Sequence, residues 1–480
     1  MKNPFSLIIF MWILLTATMI PQTGNTEIDR LIAEGSFAKA SRMIDELIIS
    51  GDLSQLQIWE LAFQKERLRR IRLDFKRTAD DVRKVVEPYY PDVNDAMLDG
   101  WIRDNTLEAM TIDGELKFFN RAAPNLFRVN KEAKARKLAK DGKNPADDEL
   151  PKIRDAAKAI SLHEQHGGRL HMPVDIKLDY TVTVDADAVP DGEIIRCWLP
   201  YPKDDVPRQK NIRLLSVNAP DYVVAPNHYL QRTIYFEKKA EKGKPTVFNT
   251  VLEYTGYADY AGVDFYAPAT VTKDPDLVRF YTKEDPPHII FSDKIKDLSR
   301  SIVGDEKNPA TILKLIYDWM NANIPWAGAR EYSTIPNISE YCVDKKYGDC
   351  GIQSLLLITL CRYNGIPAKW QSGWMVLPDE VNLHDWCEVY LDQYGWFPVD
   401  PSFKLLPADN EKVRYFYVNG IDPYHFVVNN DISKPLYPAK IYPRSETVDF
   451  QRGELEWRGG NLYFDVWDYD MKVSYTPVEQ

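Results

Sequence analysis

Residues 345–360 read KKYGDCGIQSLLLITL, with one cysteine set directly before an apolar run. Most buried cysteines simply fill cores, so Cys350 must be read against its surroundings. Asp349 is a residue type that caps helix N-termini. Ile352, Leu355, Leu356, Ile358 and Leu360 supply helical hydrophobics, and Asn364-Gly365 followed by Pro367 stops the helix. Cys350 is therefore predicted in the first turn, where unpaired N–H groups and the helix dipole favour a thiolate. Asp349 pushes the other way. Cys361 sits in the middle of the apolar stripe, where a packing cysteine belongs.

Two strands are predicted next. LHDWCEVYL places His384, Trp386 and Glu388 on one face and Leu383, Asp385, Cys387 and Val389 on the other. GWFPVDPSF follows after a turn at 392–395, so the two strands form an antiparallel hairpin with His384 and Asp400 side by side. Asp385 points to the face opposite His384, which leaves Asp400 to orient the imidazole. The chemistry explains the grouping. A thiol needs a neighbouring imidazole to take its proton, and that imidazole needs an acceptor on its other nitrogen to fix its tautomer and stabilise its charge.

YGDCGIQSLLLITLCRYNGIPAKWQSGWMV, HDWCEVYL and YGWFPVDPSF together resemble the three motifs of the transglutaminase-like superfamily of papain-like thiol enzymes, of the exported multi-domain bacterial type. The resemblance covers about 285–405 for the core and, more loosely, the chain from about 170 onward. It implies an α+β fold: a transglutaminase-like (papain-like) core with a preceding β-sandwich and an N-terminal mainly helical region. It also implies Cys350 as nucleophile, His384 as base and then acid, and Asp400 as orienter. The implied oxyanion hole combines the Cys350 backbone N–H with a second donor upstream. Trp326, Tyr332 and Tyr341 are the candidates, and Trp326 is the one named here. The superfamily holds cross-linkers, peptidases, amidases and inactive members. An exported thioester enzyme meets abundant water, and nothing in the sequence marks an amine site. The expected function is hydrolysis of peptide or cell-wall peptide amides by a cysteine peptidase or amidase. A cross-linking transglutaminase, with Trp374, Trp386 and Trp396 walling the thioester, and a silent secreted scaffold are the alternatives.

Outward from this core, the 480-residue chain is long enough for several domains. Its net charge of -11 argues against nucleic acid as a partner. Substrates are expected to be peptides, proteins or cell-wall peptides, with the oligomeric state left open. MKNPFSLIIFMWILLTATMIPQTG reads as a signal peptide over 1–23, with an uncleaved anchor as the alternative, predicting export to the periplasm or beyond and no membrane span after it. Residues 24–170 look mainly helical, with a helix–turn–helix–hairpin order over 78–120 that imitates a winged helix. Residues 171–273 alternate as a β-sandwich, and 406–480 form a β-rich extension. The N-terminal helical region and the sandwich are expected to position partners or substrates and do no chemistry. His163 and His166 read as structural. No cofactor or metal is expected: a zinc site from Cys342, Cys350, Cys387 and His384 fails because strand alternation turns Cys387 away from His384. The five cysteines, an odd number, argue against a disulfide scaffold, and a Cys342–Cys387 bond is left open.

Overall fold

The computed structural model describes residues 26–142 and 149–478; the segment read as a signal peptide lies outside them. An N-terminal helical layer comes first. It contains α1–α5 (Thr26–Ala33, Phe37–Ser50, Gln55–Asp74, Ala79–Val86, Asp95–Arg103) and the hairpin β1–β2 (Ala109–Ile112, Glu115–Phe118). Then follow α6 (Ala122–Val129), α7 (Lys131–Asp141) and α8 (Leu150–His166). Asp113 and Gly114 turn the hairpin with φ of 49° and 89°, the left-handed pair that a tight two-residue turn requires.

Six strands follow: β3 (Leu170–Val184), β4 (Ile194–Pro200), β5 (Gln209–Val217), β6 (Val223–Val224), β7 (Thr233–Lys239) and β8 (Thr246–Tyr260). The central part comprises helices α9–α13 (Pro275–Tyr281, Asp293–Val303, Pro309–Asn323, Ile338–Lys345, Cys350–Tyr363) and strands β9 (Ala368–Leu377), β10 (Glu380–Leu391) and β11 (Gly395–Val399). Two short helices, α14 (Glu411–Arg414) and α15 (Phe416–Asn419), lead to β12–β16 (Gly420–Ile421, His425–Asn429, Glu454–Trp457, Gly460–Leu462, Trp467–Pro477).

The sheets interleave distant parts of the chain. Two five-stranded sheets, β12-β8-β3-β16 with β5 also on β8, and β15-β14-β4-β7-β6, make the sandwich. Ile176, Tyr180, Trp198, Phe236, Phe248 and Leu252 fill it. The region from 406 on thus supplies strands to both sandwich sheets. It also gives β13 to the four-stranded central sheet β11-β10-β9-β13. Gly373 permits that last pairing, since a Cβ there would lie 1.9 Å from the Phe426 carbonyl oxygen.

Helix α13 is the axis of the central part. Every residue from Gly351 to Arg362 is buried, so the helix is apolar nearly all round, as an interior helix must be. Its few buried polar groups are satisfied: Arg362 Nε donates to the Ala368 carbonyl at 2.8 Å and Thr359 to the Leu355 carbonyl at 2.7 Å. Asp349 caps the start, its Oδ1 accepting from the Ile352 N–H at 3.1 Å. The chain leaves the helix through Gly365 at φ 76°. Among the described residues no helix is long and apolar enough to cross a membrane.

Candidate active site

β10 runs antiparallel to β11 with Cys387 opposite Val399 and Tyr390 opposite Trp396. That register sets Asp400, just beyond β11, on the His384 side of the sheet. His384 Nε2 meets Asp400 Oδ2 at 2.6 Å, with both residues buried. The other Asp400 oxygen accepts from Ser402 N–H at 2.9 Å, Ser402 Oγ at 2.7 Å and Phe403 N–H at 3.2 Å. Tyr317 Oη donates to the Asp400 main-chain oxygen at 2.7 Å. Burial works to raise this carboxyl, but the two imidazoles beside it outweigh that and hold it well below the usual carboxylate range.

The second imidazole is His425, from β13. Its Nε2 lies 3.2 Å from Asp400 Oδ2 and its Nδ1 3.0 Å from Asp422 Oδ1. Two ring nitrogens facing two carboxylates are matched by the imidazolium. Burial opposes that charge, while Asp422 and Asp400 raise the His425 pKa. The rings of His425, Phe403 and Trp386 enclose His384 at centroid distances of 5.0, 5.1 and 5.8 Å. One ligating atom each from His384, Asp400 and His425 lies within 4.8 Å of the others, a possible metal-ligand set. In the structure both Nε2 atoms are instead spent on hydrogen bonds to Asp400.

Cys350 stands at the first position of α13, half-buried, and its thiol donates to Asp385 Oδ2 at 3.5 Å. Asp385 is on the face of β10 opposite His384, as alternation requires, and that face is the one turned to α13. Gln451 Nε2 fixes both neighbours, donating to Asp385 Oδ1 at 2.6 Å and to the His384 carbonyl at 2.7 Å. The Tyr332 hydroxyl lies 2.8 Å from Asp349 Oδ1 and 3.3 Å from Asp385 Oδ2. Gly351 makes room for this, because a Cβ there would meet Tyr332 Oη at 2.2 Å and Asp385 Oδ2 at 2.7 Å. Burial pushes Asp349 up to about 6. Burial, then the charges of Asp449 and Asp349, push Asp385 well above the carboxylate range. Burial, then Asp385 and Asp349, likewise raise the Cys350 thiol. The resting sulfur is a thiol.

The structure thus brings His384 to Asp400 and Cys350 to Asp385, on neighbouring positions of one strand. Of the upstream candidates, Tyr332 reaches the carboxyls beside the thiol. Trp326 bridges Gly348, two residues before Cys350, with Ala327 N–H donating to the Gly348 carbonyl at 3.1 Å. Tyr341 is turned to the helical layer, donating to Glu108 Oε1 at 3.0 Å. All five cysteines are free, and Cys387 donates to the Val399 carbonyl at 3.3 Å. His425, Asp422 and Gln451 were not foreseen from sequence. The spacing Asp422-x-x-His425 ahead of a short apolar run is the one signal they leave.

Residues 296–401, which hold all three candidate catalytic residues, match the sequence profile described as the transglutaminase-like superfamily core. The uncharacterized protein YebA of Bacillus subtilis (strain 168) is 26% identical over 129 residues, 23% of this chain. The chain spans 17% of that relative's own length. Among solved structures, a candidate cysteine protease from Cytophaga hutchinsonii is similar with a TM-score of 0.44 and 15% identity, over 65% of this chain and 93% of that one. The periplasmic domain of TgpA from Pseudomonas aeruginosa gives a TM-score of 0.26 and 10% identity, over 56% and 93%.

Proposed function

The chain carries a transglutaminase-like core, and on that premise we propose that it is an exported thiol hydrolase of peptide or cell-wall peptide amides. The observation that carries the reading is the 2.6 Å His384–Asp400 bond on the strand position next to the residue that holds the Cys350 thiol. Asp400 occupies Nε2, so the tautomer has its proton there and leaves Nδ1 as the base. In the proposed mechanism the Cys350 thiol leaves Asp385 and gives its proton to that base.

The thiolate then attacks the amide carbonyl carbon. The Cys350 N–H, one of the first-turn amides without an intrahelical acceptor, and Trp326 as second donor receive the oxyanion. The C–N bond breaks as His384 returns the proton to the leaving amine, and a thioester forms. Water, deprotonated by His384, releases the acid and restores the thiol.

Transfer to an amine needs apolar walls that disfavour water around the thioester. Trp374 and Trp386 are 1% and 0% exposed. Their indole N–H groups are committed to the Gln451 carbonyl and Gln371 Oε1, both at 2.8 Å. They are packing residues, which favours hydrolysis over cross-linking. Incubation with a peptide and glycan-peptide library plus a labelled primary amine tests this. Hydrolysis outpacing amine incorporation, and lost in Cys350→Ala, is the expected result; amine incorporation in excess reverses it.

A further inference from the structure

The loop ahead of Cys350 is covered by the helical layer. Asn125 of α6 is buried and exchanges two hydrogen bonds with Gly328, Nδ2 to the carbonyl at 2.8 Å and N–H to Oδ1 at 2.9 Å. This reciprocal pair fixes α6 against the chain between Trp326 and Gly328 and sets two arginines beside it. Arg121 precedes the first turn of α6, and a Cβ on Gly328 would meet its Cδ at 2.8 Å. Arg128, in the last turn, lays its guanidinium over the Trp326 ring, 4.6 Å from the centroid. Trp326 in turn bridges Gly348, beside the nucleophile.

Both arginines are exposed, and among the described residues neither has a carboxylate within salt-bridge distance. Elsewhere in this layer Arg30, Arg72, Arg83 and Arg136 each hold an acid. Acidic residues outnumber basic ones 71 to 60, so partners were not scarce. Instead the two guanidiniums are close enough to repel: desolvation, then the charge of Arg121, lowers the pKa of Arg128. The field of Arg121 also reaches Asp349, the cap of the catalytic helix. Two like charges held beside each other, one of them over the Trp326 ring that bridges Gly348, are stabilised when an anion binds between them.

We infer that Arg121 and Arg128 form an anion subsite at the mouth of the Cys350 site, selecting peptides that carry a free carboxylate next to the scissile amide. The subsite's catalytic consequence rests on the thiol-hydrolase reading; its binding does not. The carboxylate belongs either to an acidic side chain or to a peptide C-terminus, and both present the same planar pair of oxygens to a guanidinium fork.

The test uses the full chain and matched fluorogenic peptides, glutamate against glutamine beside the scissile bond and free against amidated C-termini. The kcat/KM ratio of acidic to neutral peptide is expected to exceed about 10 for one of these pairs, which identifies the source of the carboxylate. It should fall toward unity in the double variant Arg121→Gln, Arg128→Gln and as salt rises from about 0.05 to 0.5 M. It should be retained in part by Arg121→Lys, Arg128→Lys. Equal rates for both members of each pair overturn the subsite. If no peptide is turned over, the hydrolase reading fails, and anisotropy of the same peptides on Cys350→Ala decides the subsite alone. Acidic peptides binding about tenfold tighter than neutral ones, with that difference lost in the glutamine variants, uphold it, and equal binding overturns it.

Discussion

On one side of β10, buried carboxylates are met by imidazoles; on the other they are met by a thiol, a phenol and further carboxyls. Asp400 and Asp422 are 0% and 3% exposed, Asp385 is 2% exposed, yet the first two are held low and the third is held high. Burial acts the same way on all three. What differs is the partner, because only a group that carries positive charge repays the desolvation of an acid. One strand therefore holds an ionised, locked cluster behind His384 and a cluster of raised acids around Cys350. On the proposed mechanism the first fixes the base, and the second holds the thiol until that base receives its proton.

The comparison breaks most visibly at the sulfur. Cys350→Ala should lower kcat/KM on a peptide amide by at least about 1,000-fold while leaving the melting temperature close to that of the parent. Activity surviving that change would remove the thiol from the mechanism. Asp400→Asn comes next, with a loss of about 100- to 1,000-fold from a misplaced tautomer. Its stability signature has a definite sign. A carboxylate lowered in the fold contributes stability above the unfolded value near pH 4 and loses it as pH falls further. The acid-side loss of stability should therefore be shallower in the variant, as read by urea melts at several pH values.

Asp385→Asn sharpens the contrast. It removes the acid whose charge raises the thiol, so iodoacetamide labelling of Cys350 at pH 7 should accelerate several-fold, with its pH profile moved to lower pH. Mass-spectrometric mapping with labelling slowed or unchanged would detach Asp385 from the nucleophile. Asp349→Asn should have the smallest effect, because Asn also caps helices. The acid is raised to about 6, so it carries a penalty that is absent below about pH 4 and complete above about pH 6. Relative to the parent, the variant should gain roughly 1 to 2 kcal/mol between pH 4 and pH 7.5. Parallel curves at the two pH values would show Asp349 ionising normally.

The sequence carried the local half of this site. Asp349 capping a helix, Asn364-Gly365 ending it, and a hairpin short enough to pair His384 with Asp400 are all settled within a few dozen residues. Alternation also assigned Asp385 to its proper face. It said nothing of what lies over that face, so the contact with Cys350 was hidden. His425 and Gln451 were beyond reach for a different reason. β13 reaches β9 only after nearly fifty intervening residues, with a register shift between Val427 and Asn429. No local pattern encodes such a pairing. The same holds for β14 and β16, whose partners β4 and β3 lie some 250 residues earlier or more.

That last pairing governs the order in which the protein comes into being. Thr183 lies opposite Asp468 and Lys177 opposite Ser474, so the sheet that opens the sandwich is zipped shut by almost the last residues described. The helix bearing Cys350, His384, Asp400 and the buried imidazole of His425 are all threaded between these two strands. Closing so long a loop is slow, and contacts of this separation form late. A growing chain would carry its thiol well before it carried the scaffold that aligns it. On the thiol-hydrolase reading, activity would then wait until β16 had been made and had joined β3.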